Sequence, residues 1–149
     1  GLHRNIAIGY QTMANVGSNG PDDNIAIGYQ ALNDVTTANY NTVVGSYAGS
    51  KITTDGNSTL IGFRAGEYLT ESHNVFVGAS AGYSLGSANY NTGVGKQSLY
   101  TINNGDRNTA LGWNALGRVA SSTNNVAVGD ECRVLTYWAR SNCCRKSSL

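Results

Sequence analysis

One five-residue motif, Asn-x-x-(Ile/Val/Leu)-Gly, recurs along most of the chain and restricts its fold more than any other feature. The eight copies read NIAIG, NIAIG, NTVVG, STLIG, NVFVG, NTGVG, NTALG and NVAVG. Their closing glycines, spaced by 19, 17, 17, 16, 17, 17 and 17 residues, are Gly9, Gly28, Gly45, Gly62, Gly78, Gly95, Gly112 and Gly129. A fixed short period of this kind is the signature of a repeat architecture in which each copy is one structural unit.

The length of the period selects the type of repeat. Helical hairpin repeats need about 33–34 residues, and a propeller blade needs more. A period of 17 residues suits one coil with two short strands and two turns. We therefore predict an all-β fold, a parallel β-solenoid of eight coils stacked about 4.8 Å apart.

Three neighbouring positions of each repeat copy predict a short strand, and the first and third of them share one face. The residue before each glycine is aliphatic: Ile8, Ile27, Val44, Ile61, Val77, Val94, Leu111 and Val128. The residue two places earlier is β-branched: Ile6, Ile25, Thr42, Thr59, Val75, Thr92, Thr109 and Val126. Residues two apart share a strand face, and we predict that this face packs inside the coil. Asp in place of Val77 or Ile61 should then collapse the stack.

The middle column of the strand faces the other way and is also apolar or glycine. It reads Ala7, Ala26, Val43, Leu60, Phe76, Gly93, Ala110 and Ala127. On an isolated rod, an outward apolar stripe of this length would exceed what monomers normally expose. Burial against sister chains would remove it, so the pattern favours a homo-oligomer.

The glycine and asparagine columns of the repeat both indicate structural roles. Glycine permits a turn conformation that is closed to other residues. Asn bonds local backbone or forms ladders when stacked, and the repeated positions include Asn24, Asn41, Asn74, Asn91, Asn108 and Asn125.

The third residue after each glycine is small (Thr12, Ala31, Ala48, Ala65, Ala81, Ser98, Ala115 and Cys132). This column predicts a tight interior corner or the close approach of another chain.

Composition excludes several other classes. The chain has 19 Gly, and we count 18 Asn; only 13% of residues are charged, and the net charge is +1. Gly and Asn are weak helix formers. A nucleic-acid or membrane-surface protein would show a basic excess. No run approaches the roughly 18 apolar residues of a membrane span, so we expect neither nucleic-acid binding nor membrane insertion.

The periodicity ends after Cys132, which divides the chain into a β-solenoid domain, 1–132, and a C-terminal cap or tail, 133–149. Four of the ten basic residues lie in this last part. Solenoid ends require a cap because an open coil exposes strand edges and core. Val134, Leu135, Tyr137 and Trp138 could fold over the last coil, and a disordered end is the alternative.

Residues with catalytic or metal-binding chemistry are scattered. His3 and His73 lie in different coils without a second ligand at metal-binding spacing. The carboxylates show no pairing of the kind that glycosidases need. We therefore predict no enzyme activity, no cofactor and no metal site. We interpret Cys132 as a buried spacer and Cys143 and Cys144 as free thiols, with interchain disulfides as the alternative.

Aromatic residues at the turns are the candidate binding residues. Several of them directly follow a repeat glycine, at a position where a ring could stack against a sugar. Tyr29, Tyr47 and Trp113, with the Asn-rich turns, are our candidates for glycan contact. Packing between chains explains the same residues at least as well.

The motif resembles two related repeat groups. NIAIGYQTM, NIAIGYQAL and NTALGWNAL are similar to the "NTAIGYQAL" repeat of phage tail-fibre proteins, and the run also resembles the head region of YadA-like adhesins. The resemblance covers residues 5 to 132. It implies a left-handed β-roll, a homotrimer, and an extracellular location on a virion or cell surface. The period is a few residues longer than in the adhesin heads.

Three functional hypotheses follow. The first is a structural and adhesive segment of a trimeric phage tail fibre or bacterial surface adhesin, whose turns bind a cell-surface glycan or other receptor with trivalent avidity. The second is an ice-binding (antifreeze-type) β-solenoid, which requires an outward Thr ladder; the Thr column is assigned to the interior above. The third is a polysaccharide-degrading solenoid, for which no clustered acids are visible.

Overall fold

The computed structural model describes residues 3–119, 121–133 and 142–144, and within these ranges every regular element is a strand. The twelve strands are β1 (Ile6–Ile8), β2 (Ile25–Ile27), β3 (Thr42–Val44), β4 (Thr59–Ile61), β5 (Val75–Val77), β6 (Ser84–Leu85), β7 (Thr92–Val94), β8 (Thr101–Ile102), β9 (Thr109–Leu111), β10 (Arg118–Val119), β11 (Val126–Val128) and β12 (Asn142–Cys144). The eight motif copies supply β1 to β5, β7, β9 and β11.

The strands stack in two parallel sheets. The main sheet has nine strands in the order β1-β2-β3-β4-β5-β7-β9-β11-β12, and the second sheet has the order β10-β8-β6. Each motif strand pairs with the next in register, so that Ile25 lies beside Thr42 and Thr42 beside Thr59. The chain thus makes one turn per repeat, which confirms the predicted all-β parallel solenoid.

The predicted inside and outside of the main sheet are reversed. The middle column, predicted to face sister chains, is the core: Leu60 and Phe76 are completely buried, as is Ala26. The predicted core column faces outward, and Ile61 is 39% exposed. Both columns are apolar, so alternation of polarity could not distinguish the two faces of such a short strand.

Residues from two further columns also contribute to the core. Ala31, Ala48 and Ala65 are fully buried, so the small column lies at an interior corner, as the first of its two interpretations predicted. The opposite wall contributes buried aliphatic side chains seven residues after the repeat glycine. These are Val35, Ile52, Leu69 and Ile102.

The size of the side chain in the middle strand column is related to the size of the residue four positions after the repeat glycine. Where one is large, the other is small. Val43, Leu60 and Phe76 occur in coils that carry Gly49, Gly66 and Gly82 there. Ala26, Gly93 and Ala110 occur in coils that carry Leu32, Leu99 and Leu116. A Cβ on Gly66 would lie 2.7 Å from Leu60 Cδ2. In these six coils a larger side chain at one of the two positions is therefore accompanied by a small residue at the other, which keeps the interior closely packed.

The repeat glycine is required by both conformation and space. All eight have φ between 126° and 140°, a region that residues with a Cβ rarely adopt. A Cβ on Gly28 would lie 2.6 Å from the carbonyl carbon of Gly45 in the next coil. The column of glycines is what allows successive coils to approach one another at this corner.

The repeated Asn residues form a buried ladder along the axis. Asn91 Oδ1 accepts hydrogen bonds from the Asn108 backbone N–H (2.9 Å) and Nδ2 (3.1 Å). Asn91 Nδ2 donates to the Gly105 carbonyl at 2.9 Å. The same pattern links Asn24 to Asn41. The side chains thus satisfy buried backbone groups that no strand partner reaches.

The sheet continues beyond the last motif copy. β12 pairs in parallel with β11, although its residues do not carry the motif. Val134, Leu135, Tyr137 and Trp138, predicted as a cap, lie outside the described residues. Cys132 is buried, as predicted, and it is also disulfide-bonded, which its interpretation as a spacer did not include.

Candidate functional site: aromatic and aliphatic surfaces

Two of the three predicted glycan-contact residues lie together. The Tyr29 and Tyr47 rings meet edge to face, with centroids 5.2 Å apart, and a hydrogen bond with Tyr47 raises the pKa of Tyr29. Trp113, 45% exposed, belongs to a turn that lies four coils beyond Tyr47 and five coils beyond Tyr29. At about 4.8 Å per coil the five-coil separation is about 24 Å. The structure therefore does not bring Trp113 to the tyrosine pair.

The tyrosine pair belongs to a longer series of rings. Tyr10 stacks on Tyr29 with centroids 5.5 Å apart, and Phe63 contacts Tyr47 at 6.3 Å. Tyr10, Tyr29 and Phe63 directly follow a repeat glycine, whereas Tyr47 stands two residues after Gly45. Each of four successive coils thus contributes one ring, and each ring contacts the ring of the next coil. The four rings form a continuous strip along one edge of the solenoid.

A second series of rings was missed by the sequence reasoning. Tyr68 contacts Tyr83 edge to face at 5.4 Å, and Tyr83 stacks on Tyr100 at 5.0 Å with an interplanar angle of 5°. Tyr83 and Tyr100 both stand five residues after a repeat glycine. This common spacing from the repeat glycine is the sequence signal that could have indicated the second series of rings.

Arg64 connects the two series. Its guanidinium carbon lies 5.9 Å from the Tyr47 ring centroid, 5.7 Å from Phe63 and 5.4 Å from Tyr83. Its Nε is 2.6 Å from Oε2 of Glu67, whose residue is only 4% exposed. The attraction of Glu67 raises the pKa of Arg64. We call these seven rings with Arg64 the aromatic surface.

The aromatic surface has the chemistry of a carbohydrate platform. Its rings present apolar faces and edges, while the tyrosine hydroxyls and Arg64 supply hydrogen-bonding groups. Aromatic side chains combine a large apolar area with few rotatable bonds, which makes them effective contact residues. The cation–π contacts of Arg64 also fix the rings between which it lies.

The second surface is the outward side of the main sheet, and we call it the aliphatic face. It consists of the two columns that flank the buried strand positions, and all sixteen residues are Ile, Val, Leu or Thr. It carries Thr at four places: Thr42, Thr59, Thr92 and Thr109. From β1 to β11 it spans seven strand intervals, about 34 Å at about 4.8 Å each.

The two histidines and the metal-binding residue types are not brought together in the described part of the chain. His73 stacks on Tyr90 with ring centroids 4.9 Å apart. Residues 3–119, 121–133 and 142–144 include no group of three or more His, Cys, Asp or Glu that could hold a metal ion. The same ranges contain no helix long and apolar enough to cross a membrane.

Comparisons with protein-family models, with curated proteins and with solved structures gave no match.

Proposed function

We propose that this chain is a structural and adhesive β-solenoid segment of a trimeric surface fibre, of the phage tail-fibre or bacterial surface-adhesin type. The aliphatic face is the observation that carries the proposal. A row of exposed Ile, Val and Leu about 34 Å long is more apolar surface than a monomer normally leaves in water. A second and third copy of the same chain have the same rigid repeat, and so they match this face along its whole length.

The resemblance to tail-fibre and adhesin repeats supplies the number three and the location outside the cell, on a virion or cell surface. In such a trimer the aliphatic faces meet at the centre. The turns with the aromatic surface stay outside and contact a glycan or other receptor. Three copies multiply a weak contact through avidity.

Paired substitutions at adjacent strand positions test the assembly. Ile61→Asp places a charge on the aliphatic face, and Leu60→Asp places the same charge in the core. We expect Ile61→Asp to keep its β-sheet circular dichroism while the sedimenting mass falls from that of a trimer to about 16 kDa. Leu60→Asp should unfold the chain. A wild-type protein that sediments as a monomer would refute the fibre proposal.

The outward Thr column favours ice binding as a second candidate. Thr42 lies beside Thr59 and Thr92 beside Thr109 in the parallel register, which places their side chains on a flat surface about 4.8 Å apart. Val75 interrupts this ladder, so we rank it second. Thermal hysteresis in a monomeric wild-type protein, lost on replacing Thr59 with Leu, would establish this function instead.

A further inference from the structure

A pocket of about 300 Å³ opens on the last coils of the solenoid, outside the aromatic surface except for one shared ring. Its lining residues are Gln97, Tyr100, Asn114, Gly117, Arg118 and Arg133. All of them lie within the described residues. The pocket is in the same turn region as Trp113, but Trp113 does not line it.

The pocket exists because the column of rings is interrupted. The position five residues after the repeat glycine is Tyr83, then Tyr100, then Gly117 in successive coils. Thr101 pairs in register with Arg118, and Thr101 N–H donates to the Gly117 carbonyl at 3.0 Å, so Gly117 lies one coil beyond Tyr100. One face of Tyr100 is covered by Tyr83, and glycine leaves the other face without a ring.

The walls of the pocket are polar and positively charged. Its lining includes two residues with amide side chains, Gln97 and Asn114, and two residues with positively charged side chains, Arg118 and Arg133. The ion pairs found among the described residues involve Arg4, Lys51 and Arg64, and neither pocket arginine is in one. Among the residues that the structure describes, no acidic residue lines the pocket, so its lining carries two positive charges and no carboxylate.

We propose that this pocket binds a sugar residue that carries a carboxylate. The sugar ring occupies the place that Gly117 leaves open and stacks on Tyr100. Its carboxylate is bound by Arg118 and Arg133, and its hydroxyls bond Gln97 and Asn114. Arginine suits this role because its planar group donates two parallel hydrogen bonds to a carboxylate. The inference rests on the proposed glycan-binding function and specifies the class of glycan.

Isothermal titration of the full chain with three oligosaccharides tests the proposal. The probes are a glucuronate-containing oligosaccharide, an oligosialic acid and an uncharged maltohexaose. We expect binding of at least one acidic probe and weaker or no binding of the neutral one. The two acidic probes distinguish a hexuronate from a sialic acid as the source of the carboxylate.

Two variants locate the binding site. Gly117→Tyr completes the column of rings and fills the pocket; a Cβ at this position meets the Asn114 side-chain amide, which can rotate away. It should abolish binding without lowering the melting temperature. Arg118→Gln should weaken binding about tenfold or more, the usual effect of losing a charged hydrogen bond. Arg107→Gln, which alters an arginine over the Tyr90 ring, is the charge-matched control and should bind normally.

The outcomes separate this inference from the proposed function. Unchanged binding in both Gly117→Tyr and Arg118→Gln, or equal affinity for neutral and acidic sugars, overturns the pocket proposal. If Gly117→Tyr fails to fold, Arg118→Gln decides alone. A trimeric wild-type protein that binds only neutral glycans, or no glycan, refutes the pocket and leaves the fibre assembly standing. A monomeric protein refutes the assembly whatever it binds.

Discussion

Exchanging the two side chains that share the interior of the fifth coil gives the sharpest test of the packing rule. Phe76→Ala with Gly82→Leu converts this coil to the arrangement that Ala26 and Leu32 already show. Leu32 adopts φ 47° and Gly82 has φ 56°, so the backbone at this corner accepts leucine elsewhere in the chain.

The single substitutions should both be costly. Phe76 is completely buried, and its replacement by Ala should lower the free energy of unfolding by about 3–5 kcal/mol. Gly82→Leu alone forces new carbon atoms against the Phe76 ring, which a Cβ at this position already meets. Overpacking costs about 1–3 kcal/mol, and the left-handed backbone adds about 1–2 kcal/mol. Independent effects would therefore sum to about 5–10 kcal/mol.

The double variant should be far more stable than that sum. The leucine fills the space that the ring leaves, so we expect a loss of only about 1–3 kcal/mol, from backbone conformation and imperfect shape. Urea denaturation followed by circular dichroism measures all three variants. Gly49→Leu with Phe76→Ala is the control, because a side chain at Gly49 meets Leu60, Ile52 and Leu32 instead. A double variant whose loss equals the sum within about 0.5 kcal/mol would refute the packing rule.

Three further predictions concern the columns and the ionisable groups. Gly28→Ala should lower the melting temperature clearly, because its Cβ meets the next coil's backbone at 2.6 Å; Gly17→Ala, where the nearest atom is 3.0 Å away, should cost less. Asn91→Ala should cost about 1–3 kcal/mol in urea denaturation by leaving buried backbone groups unbonded. Asn91→Ser, which keeps an acceptor oxygen, should cost less. Burial raises the pKa of Asp55, so the folded state holds this proton more tightly than the unfolded chain and loses stability as the pH rises through the raised pKa. Asp55→Asn should therefore stabilise the protein at about pH 7, with the difference shrinking toward about pH 3. Asp34→Asn should show the opposite sign, because the hydrogen bond from Lys51 lowers the pKa of Asp34; equal pH profiles for the two variants would contradict this assignment.

The period and the special backbone positions were readable from the sequence because they depend on local chemistry. A glycine with φ near 135° and an Asn that bonds the next coil impose a residue type at every turn. The fold class followed from them directly. The candidate site could be predicted only in part. Tyr29 and Tyr47 were predicted from their positions in the turns. Arg64 could not be predicted, because it belongs to the surface through contacts with rings from other coils.

The disulfide of Cys132 and the strand β12 are two features that the repeat spacing did not predict. The column of Cys132 predicted a small buried side chain, and the side chain is buried. The end of the periodicity after Cys132 predicted a C-terminal cap or a disordered end for 133–149. β12 instead stacks on β11 without any of the repeat residues, because parallel pairing uses backbone groups that every residue other than proline provides.

The reversed faces of the main sheet point to a rule for reading such repeats. A core column varies in size, because a neighbouring column can compensate: Phe76 is matched by Gly82, and Gly93 by Leu99. An outward column has no such partner within its own chain, and the column of Ile61 nevertheless keeps almost constant shape, with only Ile, Val or Leu. Side chains that merely face water have no reason to be uniform and apolar. The uniformity therefore supports the proposed assembly, in which another copy of the same solenoid, in register, supplies a surface that is regular at the coil spacing.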